Sequence, residues 1–168
     1  VVGAGPAGLF AALTLARAGV QPILIERGKP VEERTKSVQM MQERGILDPE
    51  SNVQFGEGGA GAFSDGKLTT GTKSPLIRTV LQTFVDHGAP EDILYIAKPH
   101  VGTDLLKGVL RSMRQEIIQL GGQVRFDTRL TGLMMRGESI EGITVLCGGE
   151  TQEIRTDTVI LAIGHSAR

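Results

Sequence analysis

The sequence is poor in residues that cross-link or anchor a chain. In 168 residues it has one cysteine, Cys147, no tryptophan, one tyrosine and five phenylalanines. A single cysteine cannot build a disulfide framework, so a small cross-linked secreted scaffold is excluded, and a reducing, cytoplasmic compartment is the expectation. Cys147 closes the apolar run Ile143-Thr144-Val145-Leu146, the setting of a buried structural thiol rather than of a nucleophile. No run of 18 apolar residues occurs, which leaves no spanning helix. Charge of either sign is not in excess: 18 Lys and Arg face 19 Asp and Glu, for a net −1. That leaves no electrostatic footprint for nucleic acid and no polybasic patch for a membrane, so neither is an expected partner. Three scattered histidines beside one cysteine do not make a metal site.

Glycine is what the chain has in abundance, 23 residues, roughly twice the usual share. The glycines follow no three-residue period, so a collagen helix is excluded. Hydrophobic residues are 40% and charged residues 22% of the chain, a composition that folds, and the length suits one core. Residues 9–18 carry apolar side chains at helical spacing and stop at Gly19. Ile23-Leu24-Ile25 is a short continuous apolar strand, the kind buried on both faces of a parallel sheet. Residues 31–44 read as a charged helix, Ser74-Pro75 opens a helix that runs to His87-Gly88, and Thr103-Asp104 opens another that stops at Gly121-Gly122. From Gln123 the period becomes two, with strands over 124–126, 130–135, 140–146, 152–155 and 158–163, broken at Gly137, Gly142 and Gly148-Gly149. The fold class is α/β: a Rossmann-like dinucleotide-binding fold, a parallel sheet with helices plus a small β-meander. Val1-Val2 reads as the stump of a strand, and the chain reads as an incomplete domain spanning 1–168, part of a longer protein, with 45–102 as a partial insertion.

Gly3-Ala4-Gly5-Pro6-Ala7-Gly8 fits G-x-G-x-x-G. The first glycine permits the tight turn, the second lets the backbone approach a pyrophosphate, and the third lets helix and strand pack. The helix N-terminus behind it presents free N–H groups to the phosphates. The motif follows an apolar strand, opens a helix and precedes a second strand, which ends in Glu26, 18 residues after Gly8. A carboxylate there accepts hydrogen bonds from both hydroxyls of an adenosine ribose and repels a 2′-phosphate, although Arg27 beside it works the other way.

Val1 to Gly8 with Glu26-Arg27 resembles the FAD-binding start of flavoproteins with two dinucleotide-binding domains. Asn52-Val53-Gln54-Phe55-Gly56-Glu57-Gly58-Gly59-Ala60-Gly61, Phe63-Ser64-Asp65-Gly66-Lys67-Leu68 and Lys98-Pro99-His100-Val101-Gly102-Thr103-Asp104 resemble a bacterial family of FAD-dependent dehydrogenases, similar in layout to glutathione-reductase-like proteins. The resemblance covers essentially the whole chain. It implies FAD as the cofactor and a small-molecule substrate with an electron donor or acceptor, NAD(P)H among the candidates; it fixes no oligomeric state. Val159-Ile160-Leu161-Ala162-Ile163-Gly164 stands where that family has a strand ending Ala-Thr-Gly beside the cofactor, with Ile163 in place of Thr, which puts Ala162 and Gly164 near it. Phe126-Asp127-Thr128-Arg129-Leu130 resembles the adenine-contacting segment and places Leu130 there. A substrate-binding region belongs to the family pattern beyond residue 168.

The expected cofactor-binding set is therefore Gly3, Gly5, Pro6, Ala7, Gly8, Glu26, Arg27, Arg34, Gly58, Gly59, Gly61, Ser64, Leu130, Ala162 and Gly164. Gly58, Gly59, Gly61 and Ser64 form a backbone cradle in the glycine stretch, or else an ordinary surface loop. Arg34 is a phosphate partner or part of a solvated helix face. His100 and His165 are the catalytic candidates, the first before a helix and the second just past the last strand. No nucleophile–base–orienter set and no C-x-x-C pair is present. The function expected is that of an FAD-dependent oxidoreductase. The alternatives are an NAD-binding dehydrogenase of the simple Rossmann type, against which the β-meander stands, and a non-catalytic flavin-binding or RNA-modification accessory module.

Overall fold

A computed structural model of the chain describes residues 1–165. Helix α1 (Pro6–Arg17) follows the glycine turn directly, and β1 (Ile23–Ile25) returns beside it. Then come α2 (Val31–Arg44), α3 (Leu76–Asp86), α4 (Thr103–Gln119), β2 (Gln123–Arg125) and the antiparallel strands β3 (Thr128–Arg136), β4 (Ser139–Cys147) and β5 (Glu150–Arg155). Short 3₁₀ turns occupy Gly59–Phe63 and Glu91–Leu94. Ser74 Oγ accepts the N–H of Leu76 at 3.2 Å, which starts α3 where the Ser-Pro pair predicts it.

β1 pairs in parallel with β2, and Val2 adds to the other side of β1 by a parallel bridge to Ile25. Val2 also bridges Leu161 in parallel. The result is a narrow parallel layer in the order β2, β1, Val2, Leu161. Its pleat sorts side chains to two faces. Leu24 and Val1 join the larger core, with Leu9 and Leu13 of α1 and Leu110, Met113 and Ile117 of α4. Ile25 and Val2 face the other way, onto Ile143 and Val145 of β4 and Ile154 of β5. Helices thus cover one side of the layer and the β-meander covers the other. The segment 45–102 is not a bystander: Ala62, Phe84, Ile93 and Val101 lie in the larger core.

One expectation needs correcting. Residues 158–163 do not form a buried strand. Only Leu161 bridges, and Leu161 and Ile163 are 55% and 45% exposed. Its one ladder partner among the described residues is Val2, through an isolated bridge, which leaves the other edge of the run without a neighbour and its side chains half exposed.

Candidate functional site

The glycine turn brings three glycines into three different jobs. Gly3 has φ +97°, and a Cβ on it would stand 2.6 Å from the Ala162 carbonyl oxygen. A Cβ on Gly8 would stand 1.7 Å from the Gly3 carbonyl oxygen, so nothing larger fits between helix and strand. Gly5 is different. A Cβ there meets only the Gly59 Cα, at 4.0 Å. The fold leaves Gly5 bare without needing the room, and the room opens on a cleft of about 750 Å³.

α1 begins at that cleft with Gly5 as its cap residue, Pro6 at the first position, no side-chain cap and no acidic residue in its first turn. Its leading N–H groups have no intrahelical acceptor, and its dipole end is uncompensated. A group with negative phosphate oxygens fits this end. The cleft runs from there to Glu26 and Arg27, then to Thr128 and Leu130, and its far wall is Ala162, Gly164 and His165.

Glu26 is 5% exposed. One carboxylate oxygen accepts the Ala4 N–H at 2.8 Å, and the other accepts the N–H groups of Gly28 at 2.9 Å and Gly56 at 3.1 Å. The side chain therefore clamps the glycine turn, the end of β1 and the glycine stretch together. Two oxygens offer about four acceptor positions, which leaves capacity for a hydroxyl from the cleft. Arg27 points its Nε at Glu50, 2.6 Å away, and lies over the Phe55 ring.

Arg34 is corrected. It is fully buried and is not one of the residues lining the cleft. Its Nε donates to the Asn52 carbonyl at 2.8 Å, and its Nη1 donates to the carbonyls of Glu57 at 2.6 Å and Gly59 at 2.7 Å, with a longer bond to Gly56. The guanidinium also lies over the Phe63 ring. Burial draws its pKa down to about 10, against the pull of Glu26 and Glu57, which still leaves it charged at neutral pH. Arg34 organises the glycine stretch through its carbonyls; its Nη2 is buried without a hydrogen-bond partner among the described residues, and Arg34 is not part of the cleft wall.

The glycine stretch divides between two cavities. Gly59 and Ala60 line the 750 Å³ cleft. Gly58, Gly61 and Ser64 line a different cavity of about 580 Å³, which shares only Pro6 and Ala7 with the first. The Gly58 N–H donates to the Ala4 carbonyl at 2.8 Å, tying stretch to turn. Gly8, shut against Gly3, is likewise a packing residue and not a wall of the cleft. His100 is exposed, bridges Lys67 in an antiparallel pair and lies outside the cleft, so it meets no cofactor there. His165 lines the cleft at its open edge.

Sequence reasoning missed Glu57. It is fully buried, its Oε2 accepts the Val31 N–H at 2.8 Å and pairs with Arg114 at 2.9 Å. Arg114 also holds Glu32 at 2.7 Å. Burial pushes the Glu57 carboxyl upward, against the Val31 N–H and Arg114. Glu32 goes the other way: burial works to raise it, but hydrogen bonds from Arg114, its own backbone and Arg111 bring it to about 2. A lone acid in a glycine run was the available signal.

Known proteins resemble this chain in sequence or in fold. A protein of Clostridium beijerinckii described as uncharacterized is 52% identical over 168 residues, covering all of this chain and 31% of that protein. The digeranylgeranylglycerophospholipid reductase of Methanosarcina acetivorans is 25% identical over 169 residues, covering all of this chain and 38% of the reductase. The chain thus spans about a third of the length of the curated relatives it matches. Among solved structures, Thermovibrio ammonificans THI4 superposes with a TM-score of 0.60 at 17% identity, over 98% of this chain and 56% of that one. The 3-ketosteroid-delta4-(5alpha)-dehydrogenase of Rhodococcus jostii superposes with a TM-score of 0.56 at 15% identity, over 93% and 43%. Both share the fold. The sequence pattern of the FAD binding domain matches residues 1–167. With a bare glycine at an uncapped helix end and a clamped acid at the end of the second strand, the chain belongs to the FAD binding domain family, and FAD is its cofactor.

Proposed function

We propose that the chain is the cofactor-holding part of an FAD-dependent oxidoreductase acting on a small-molecule substrate. The observation that supports this best is Gly5, a glycine that the fold does not need and that faces the cleft at the bare end of α1. In this reading the N–H groups at the start of α1 hold the pyrophosphate. Glu26 takes the adenosine ribose with the acceptor capacity left beyond its three backbone donors. Leu130 packs on the adenine side, and Gly59, Ala162 and Gly164 let the backbone come close along the two walls. Arg27 screens the ribose end. Bound FAD supplies the electron or hydride transfer, and the protein positions it and keeps water from it. The three-stranded meander β3–β5 speaks against a simple nicotinamide-binding Rossmann domain, which continues in βαβ units. NAD(P)H is the electron donor to try first.

The protein should purify yellow, and acid release should yield FAD rather than NAD. A colourless protein that cannot be reconstituted with FAD would contradict the reading. A flavin-containing protein that shows no turnover with any electron donor would point to a binding module instead.

A further inference from the structure

Across Pro6 and Ala7 from the dinucleotide cleft lies the second cavity, about 580 Å³. It is of the size that takes a small molecule. It is lined by Leu9 and Phe10 of α1, Val80 and Phe84 of α3, and Leu110 and Met113 of α4. The hydroxyl-bearing residues of the lining, Ser64, Thr69, Thr70, Thr72 and Ser74, all come from the segment between the Gly59–Phe63 turn and α3. Among the described residues the one charged side chain in the lining, Lys67, is paired with Asp65 at 2.7 Å. The wall therefore presents hydrocarbon and almost no net charge.

Interiors close around their own side chains to near-crystalline density, and α3 does not close here. Its first residue, Leu76, is 66% exposed beside the mouth. Among the described residues an anion finds no free cation in this space. The flavin ring, with its carbonyl and ring-nitrogen edge, would leave those groups without donors against Val80, Phe84 and Met113, at the cost that burying unpaired polar groups carries. An uncharged hydrocarbon meets no such penalty and gains from every apolar surface it covers.

We infer that this cavity receives an uncharged hydrocarbon portion of the substrate, held beside the cofactor on the far side of the Pro6–Ala7 turn. The inference rests on the reading that the neighbouring cleft holds FAD. Position supports it: on that reading the adenosine lies at Glu26 and Leu130, which line only the first cleft, and Pro6 and Ala7 are the residues that line both cavities.

The test is titration of the FAD-loaded protein with diphenylhexatriene, a neutral hydrocarbon whose emission overlaps flavin absorption. Saturable binding of one probe per chain, with probe emission quenched and flavin emission sensitised, is the expected result. Val80→Asp places a charge in the apolar wall and Thr70→Trp narrows the mouth from an exposed position; each should weaken probe binding about ten-fold or more with FAD content unchanged. The absence of saturable binding to yellow protein would overturn the inference. So would binding that neither variant weakens, or loss of FAD from Val80→Asp, which would make the cavity the flavin's own. A colourless protein that still binds the probe, without energy transfer, would keep the hydrocarbon site and remove the FAD reading.

Discussion

Glu26 and Glu57 are both shut away from solvent, yet they are held in opposite ways. Glu26 closes a strand and receives three backbone N–H groups on its two oxygens. Glu57 sits in the glycine stretch with both of its donors on one oxygen, and its Oε1 has no hydrogen-bond partner among the described residues. The first belongs to a local βαβ unit whose spacing dictates it. The second is fixed by α2 and α4, which arrive from elsewhere in the chain. Between them stands Arg34, which binds the stretch bearing Glu57 to the same frame. A carboxylate satisfied by N–H dipoles is suited to share its last acceptor position with a ligand. One buried against a guanidinium is suited to hold elements together.

The sharpest way to break the comparison is to remove Arg34. Arg34→Met keeps most of the volume and strips the donors from the Asn52, Glu57 and Gly59 carbonyls. A loss of about 3–5 kcal/mol in urea unfolding is expected, the range for leaving buried partners uncompensated. A loss below about 1 kcal/mol would show the stretch to be held by other contacts. Arg34→Lys should rescue little, because an ammonium cannot reproduce the fork of donors.

Glu26→Gln comes next. The amide group must face at least one of three N–H donors, which should cost about 1–3 kcal/mol of stability. FAD affinity should fall about ten-fold through the lost ribose contact. If equilibrium dialysis shows FAD binding intact while stability falls, Glu26 is a clamp and not a ribose ligand.

The smallest effect sharpens the contrast by pH. Glu57 has its carboxyl raised by burial above the ordinary value of 4.5. Between 4.5 and that raised value the folded chain binds more protons than the unfolded one. The Glu57 contribution is therefore fully present below 4.5 and lost as pH rises through the window. Glu57→Gln does not titrate, and its amide oxygen can still accept the Val31 N–H. Urea midpoints should show the variant gaining on the wild type from about pH 4 to neutrality. Glu32 titrates in both proteins and cancels in the difference. A variant that loses ground as pH rises would mean that the Arg114 pair outweighs burial.

The same contrast explains what could be read from the sequence. Helices α2 to α4 stand close to where spacing and local start and stop residues put them, because those signals act within one or two turns; α1 begins at Pro6, three residues before its apolar spacing does. β3, β4 and β5 follow the period of two and its glycine breaks. Arg34 was readable only as a charge on a polar helix, since the carbonyls it serves lie 18 to 25 residues away in sequence. The split of the glycine stretch between two cavities is a tertiary fact, fixed by where α3 and α4 pack. Residues 158–163 carry the hydrophobicity of a buried strand, but burial needs neighbours on both sides, and composition does not report them. Within G-x-G-x-x-G the spacing alone could not say which glycine serves the ligand; the neighbouring atoms do.

That last distinction carries the central claim, that the pyrophosphate of FAD lies on Gly5 at the open end of α1. Gly5 has φ −71°, a conformation any residue adopts, and a Cβ there meets only the Gly59 Cα, at 4.0 Å. Gly5→Val should therefore fold with an unchanged circular dichroism spectrum and melting temperature. FAD titration of the apo variant, followed by flavin fluorescence quenching, should show affinity reduced about ten-fold or more, at least ~1.4 kcal/mol. Wild-type affinity in a folded Gly5→Val protein would contradict the account.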